Sequence, residues 1–180
     1  MKILLPITIA ILLSVSSILA QTIKYESVYT NLSDKFCKTL EQSDEGTGWY
    51  RGECKGVGGY KLQVTEGDIR QSIDVVAPNK KRYELNLTGN VSLAFSSVGE
   101  KAEWRVTRKG KTLVPAALIV RYNASENSEK PEQNTSYLVV VKITKNSACV
   151  TDVVKPSANA NAEARRLADT SANQPCKSEN

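Results

Sequence analysis

The segment Glu66-Gly67-Asp68-Ile69-Arg70 sets two carboxylates and a guanidinium within five residues. Two acids two positions apart face the same way on a strand, which is what a general acid/base pair requires, with Arg70 or Arg121 as an electrophilic helper. The simpler reading makes Gly67 a turn or bulge beside which Arg70 neutralises one acid. A second group is Trp49-Tyr50-Arg51. Trp, Tyr and Arg dominate interface energy when a preorganised loop presents them; the alternative makes Trp49 and Tyr60 core anchors beside a disulfide. A third group is Arg105 and Arg121, which could anchor a small anion between a sheet and a helix. If buried, each needs a partner, and Glu66, Asp68 or Glu103 supplies one without a ligand.

Several chemistries are excluded at once. The 180 residues contain no histidine, so Ser-His-Asp and Cys-His catalysis and imidazole metal sites are unavailable. Cys37, Cys54, Cys149 and Cys176 form no C-x-x-C element, and no metal or other cofactor is expected. Lys55-Gly56-Val57-Gly58-Gly59-Tyr60 lacks the Lys-Ser/Thr and the following helix of a phosphate loop and reads as a tight turn. The net charge of +5 is dispersed. Its short basic clusters, Lys80-Lys81-Arg82 and Arg105 to Lys111, read as strand edges, and nucleic acid is not an expected partner.

The elements that must hold these residues begin after an export segment. Met1-Lys2, an apolar run from Ile3 to Leu13 and Ser-Val-Ser-Ser-Ile-Leu-Ala20 make residues 1–20 a signal peptide cleaved before Gln21. The run is short for a membrane span and is broken by Pro6. Residues 21–180 are expected to form one secreted, monomeric domain with 23 basic residues against 19 acids and no membrane span. Four cysteines in an exported chain read as two disulfides. Three connectivities are possible, and the local pairs Cys37–Cys54 and Cys149–Cys176 are favoured because each closes a segment bounded by turn residues.

Within the mature chain the pattern is mostly strand. Ser72–Val76, Tyr83–Leu87, Val91–Phe95, Glu103–Val106, Ala117–Tyr122 and Tyr137–Ile143 are β-branched or aromatic runs, many alternating with polar residues. Thr88-Gly89-Asn90 and Lys109-Gly110-Lys111 read as hairpin turns, and Asn123 to Ser136 as a mobile loop. Ala117–Val120 and Leu138–Val141 do not alternate, so something must cover both faces of those strands. The covering element is a helix over Ser157–Asp169, capped by Ser157, with Ala160, Ala164, Leu167 and Ala168 as its apolar stripe. The expected fold is α+β and β-rich: one antiparallel sheet or a sandwich, a C-terminal helix packed on it, and two local disulfides.

Several strings together, Gly48-Trp49 … Cys54-x-Gly56-x-Gly58-Gly59-Tyr60, Val64-x-Glu66-Gly67-Asp68-x-Arg70, Glu103-Trp104-Arg105, Ala117-Leu-Ile-x-Arg121-Tyr122 and Ala158-Asn-Ala-Asn-Ala162-x-Ala164-Arg165-x-Leu167-Ala168-Asp169 … Cys176, resemble a group of uncharacterised secreted proteins of Gram-negative bacteria. The resemblance implies a periplasmic or secreted protein and no particular activity. The expected role is a non-enzymatic interaction or inhibitor-like module of the cell envelope whose partner is an envelope or host protein. The interaction candidates are Trp49, Tyr50, Arg51, Glu66, Asp68, Arg70 and Arg121. Binding of a small anionic ligand is the alternative, followed by a hydrolase using Glu66 and Asp68.

Overall fold

The structure is a computed structural model describing residues 23–43 and 48–177; residues 1–20, expected to be a signal peptide, lie outside the described residues. In chain order the elements are β1 (Glu26–Asn31), β2 (Cys37–Gln42), β3 (Tyr50–Lys55), β4 (Lys61–Gly67), β5 (Arg70–Val76), β6 (Arg82–Glu84), a short helical turn α1 (Leu87–Asn90), β7 (Ser96–Lys109), β8 (Thr112–Ala124), β9 (Thr135–Ile143), β10 (Ala148–Val154) and α2 (Ala160–Thr170).

The strands form one mixed, mostly antiparallel sheet in the order β10-β9-β8-β7-β5-β4-β3-β2, with β1 also paired to β7 and β6 to β5. β5 and β7 meet through a single parallel pairing, Arg70 with Ser96. The sheet therefore has two halves joined at one point, and they close over a common core. Leu62, Val64, Ile73 and Val75 of one half share a cluster with Ala102, Trp104, Val106, Leu118, Val120, Tyr122, Val139 and Val141 of the other. Alternate residues supply this face, as the two-residue period of a strand requires. Trp104 is fully buried, and its indole nitrogen donates to Thr30 Oγ1 at 2.9 Å.

The non-alternating runs are explained by α2. Ala117, Ile119, Leu138 and Val140 face away from the main core and pack under Ala164 and Ala168, with Ala160 and Leu167 at the margin. Small residues on the stripe allow the helix to sit close. The helix starts later than its sequence suggests: Asn159 occupies the cap position without a side-chain bond, and Ser157 instead closes the preceding turn through its carbonyl, which accepts from Ala160 N.

Both expected disulfides form. Cys37 and Cys54 are register partners on β2 and β3, and Cys149–Cys176 anchors the chain beyond α2 to β10. The glycine-rich segment is the β3–β4 turn, with Gly58 and Gly59 at φ of +62° and +82°, and Gly110 turns β7 into β8.

The segment around Gly89 departs from expectation. Thr88-Gly89-Asn90 is not a hairpin turn and Val91–Phe95 is not a strand. Asn86 takes a left-handed conformation and its side chain accepts from Gly89 N at 3.1 Å, while Asn90 Nδ2 donates to Leu85 O at 2.9 Å. The two asparagines bond their own backbone and offer it an alternative to a sheet ladder. They shorten the strand around Tyr83 to β6 and release residues 91–95 as a loop.

Candidate functional site

The pairing of β3, β4 and β5 brings most of the proposed site residues to one end of the sheet. Tyr50 is opposite Glu66 on β4, and Glu66 is opposite Gln71 on β5. Gln71 Nε2 donates to Glu66 Oε2 at 2.7 Å, and Val98 N donates to Gln71 Oε1 at 2.9 Å. Tyr50 and Glu66 line a concavity of about 340 Å³ with Leu32, Asp34 and Gln42. Trp49, just before β3, is 44% exposed and is no core anchor; that place is taken by Trp104, with Tyr60 packed beside it. Arg51 pairs with Glu41 across β2 and β3.

Asp68 and Arg70 lie at the β4–β5 turn, where they form the local ion pair that their spacing suggests. Asp68 projects into solvent while Glu66 lines the concavity. The two acids therefore do not converge on one reacting position.

The geometry of this turn is unusual. Asp68 and Ile69 are its two central residues and have φ of +50° and +58°. A two-residue hairpin with both centres at positive φ selects Asn-Gly or Asp-Gly. A β-branched residue there is an outlier that costs on the order of 1–3 kcal/mol. The Ile69 side chain gains little burial in return, being 63% exposed. The backbone is held from outside, since Ser96 N donates to Ile69 O at 3.0 Å.

Arg70 ties the turn to the 91–95 loop. Its Nε donates to Leu93 O at 2.8 Å, its Nη1 donates to Asp68 O at 3.0 Å, and the guanidinium lies 4.9 Å from the centre of the Phe95 ring. Such stacking adds a cation–π attraction to the hydrogen bonds. Leu93 and Phe95 are 74% and 48% exposed. The β8–β9 loop joins the same cluster, because Ser125 N donates to Phe95 O at 2.8 Å. A concavity of about 380 Å³ opens between Arg70, Phe95, Glu126 and Pro131. Burial pushes the Glu126 carboxyl up, but hydrogen bonds from Tyr137, Ser92 and Thr135 outweigh it and hold it below the usual carboxylate range.

Ile69, Leu93 and Phe95 were not singled out by sequence. The useful signal is the Asn-rich, Gly-containing stretch 86–90, which argues against continuing the strand through Phe95.

The arginines separate into two kinds. Arg105 is buried and committed: Nε and Nη2 donate to Asp169 Oδ1 and Oδ2 at 2.7 and 2.8 Å, and Nη1 donates to Ser27 Oγ. It fastens α2 to β7, and its partners are supplied by the protein itself. Glu103 is similarly engaged, taking Arg165 Nε and Nη2 at 2.7 and 3.0 Å. Burial raises the Glu103 carboxyl, but the bonds from Arg165 and Ser27 and the nearby Arg105 prevail and hold it below its ordinary value. Arg121, by contrast, is exposed, donates to Ser136 Oγ at 2.7 Å and has no carboxylate partner among the described residues.

Among the described residues no group of three or more His, Cys, Asp or Glu is placed to hold a metal ion. No helix among them is long and apolar enough to cross a membrane. The two disulfides point to an oxidising, extracytoplasmic compartment. Comparison with known proteins finds no matching family model, curated protein or solved structure.

Proposed function

We propose that the chain is a non-enzymatic interaction module of the bacterial cell envelope, periplasmic or secreted, which takes an envelope or host protein at the loop end formed by Ile69, Arg70, Leu93 and Phe95. The observation that carries this reading is Ile69, a β-branched residue kept at positive φ with its side chain in solvent. Strain of this kind persists where the surrounding structure over-determines it, and it collects at functional positions. Around Ile69 the surface offers an aromatic ring, an arginine and a leucine, held by hydrogen bonds that link three chain segments. Preorganisation lowers the ordering cost of association, and aromatic and arginine side chains supply most of the energy of an interface. Trp49 lies at the same end of the sheet, two strands away, and extends the surface.

The test compares wild-type protein with Phe95→Ala and Arg70→Ala variants in affinity capture from envelope and culture fractions. Wild type is expected to retain a stoichiometric partner that both variants lose while their circular dichroism is unchanged. Equal retention by Phe95→Ala, or no stoichiometric partner on wild type, overturns the reading.

A further inference from the structure

We infer that Arg121 and Lys101 form a binding site for a small phosphate-bearing molecule, in the cleft between the outer face of β7 and β8 and the start of α2. The cleft is about 270 Å³ in volume, and its walls include Tyr29, Lys101, Arg121 and Asn161 over a floor of Ile119 and Leu138. It also contains Glu103 and Arg165, which satisfy each other in a bidentate pair. Two positive charges remain uncompensated. Neither Lys101 nor Arg121 has a carboxylate partner among the described residues, and two cations match a dianion.

Arg121 is fixed in place, unlike most arginines on a strand surface. A Cβ at Gly99 would lie 2.8 Å from Arg121 Cβ and 3.3 Å from its Cγ, so the stem lies against the bare backbone of β7. At the other end Nη1 donates to Ser136 Oγ at 2.7 Å. Nε and Nη2 have no hydrogen-bond partner among the described residues. A guanidinium held at stem and tip, with two donors still open, is a preorganised fork for oxygen pairs of the phosphate type. Lys101 supplies the second charge: the β7–β8 register is irregular between the pairs Val98–Tyr122 and Ala102–Val120, so residues 99–101 together stand opposite Arg121, and Lys101 lines the same cleft as Arg121. A second concavity shares Lys101 and Arg121 but carries Glu100, so the phosphate is placed in the first. The apolar floor suits the organic part of a phosphate monoester.

The experiment titrates wild-type protein with inorganic phosphate and with glycerol 3-phosphate by calorimetry. In a second arm, co-sedimentation with phosphatidylcholine vesicles, with and without phosphatidic acid, distinguishes a free ester from a lipid headgroup. Saturable binding in either arm is expected to weaken about tenfold or more in Arg121→Ala and in Lys101→Ala. Gly99→Ala is expected to weaken it without removing a charge, by displacing the Arg121 stem, and thermal unfolding reports whether each variant is folded. Absence of saturable binding in both arms, or binding that all three folded variants retain, overturns the site.

Discussion

Arg105 on β7 and Asp169 on α2, 64 residues apart, make a two-point charge-assisted pair at 2.7 and 2.8 Å. The hydrogen bonds it donates to Asp169 hold the pKa of the Arg105 guanidinium above its ordinary value. Removing one member of a buried pair leaves an uncompensated charge and costs about 3–5 kcal/mol. Here Ser27 and Glu103 still reach Arg105, so Asp169→Leu is expected to cost about 2–3 kcal/mol in urea unfolding. Arg105→Met with Asp169→Leu should recover part of that loss, because the isolated charge is gone. A double variant less stable than Asp169→Leu would show that the pair does not act in this way.

Ile69 provides a test in which stability and binding move in opposite directions. Ile69→Gly relieves the positive-φ cost and gives up an exposed side chain, so it is expected to stabilise the protein by about 1 kcal/mol. The same substitution should weaken partner capture. A destabilised Ile69→Gly protein would remove the strain argument.

Asp74 is buried on β5, with Arg82 at 3.8 Å. Burial raises its carboxyl to about 6, against an opposing pull from Arg82. Between about pH 4 and pH 6 the folded state therefore holds a proton that the unfolded state has released. Stability falls as pH rises through that window, by an amount on the order of 2–3 kcal/mol, and is level above it. Asp74→Asn is expected to flatten this slope and to raise the melting temperature at neutral pH. An unchanged slope in equilibrium unfolding would locate the pH dependence elsewhere.

The Cys149–Cys176 bond holds the chain beyond α2 on β10 and closes a separation of 27 residues. In the chain-entropy account, replacing both cysteines by serine costs about 3 kcal/mol. The loss should be concentrated at the helix: once α2 detaches, Ile119, Leu138 and Val140 are uncovered. Binding of a hydrophobic dye and loss of helical circular dichroism, with the β signal retained, are the expected signature.

The two tryptophans should behave oppositely. Trp49→Ala is expected to change stability by less than about 1 kcal/mol. Trp104→Ala empties a core position, removes the donor to Thr30 and should cost about 3–5 kcal/mol. In Trp49→Phe the remaining indole emission should be blue-shifted and protected from acrylamide. Strong quenching there would contradict the burial of Trp104.

Much of the fold was legible because local patterning encodes it. The unbroken apolar runs of β8 and β9 and the small-residue stripe of α2 identify each other as partners, since a strand apolar on both faces needs a second cover. The cysteine pairs were legible for a similar reason, each closing a segment bounded by turn residues. Val91–Phe95 was misleading because its alternation matches a strand, while Asn86 and Asn90 upstream divert the backbone through their own side chains. Trp49 was weighed as a core anchor because indole is large and apolar, yet the core position belongs to Trp104.

The candidate sites were legible only as residue types. Arg70 and Asp68 announce an ion pair by their spacing, but the ring of Phe95 reaches Arg70 only because β5 and β7 meet at Arg70 and Ser96. Arg105 and Arg121 look alike in sequence, each beside an apolar run. One is consumed by a helix 64 residues away and the other is left open over a glycine on the neighbouring strand. A sequence period specifies which face a side chain takes. Which distant side chain meets it there depends on how the sheet folds over and where the helix lands, and those are properties of the packed chain.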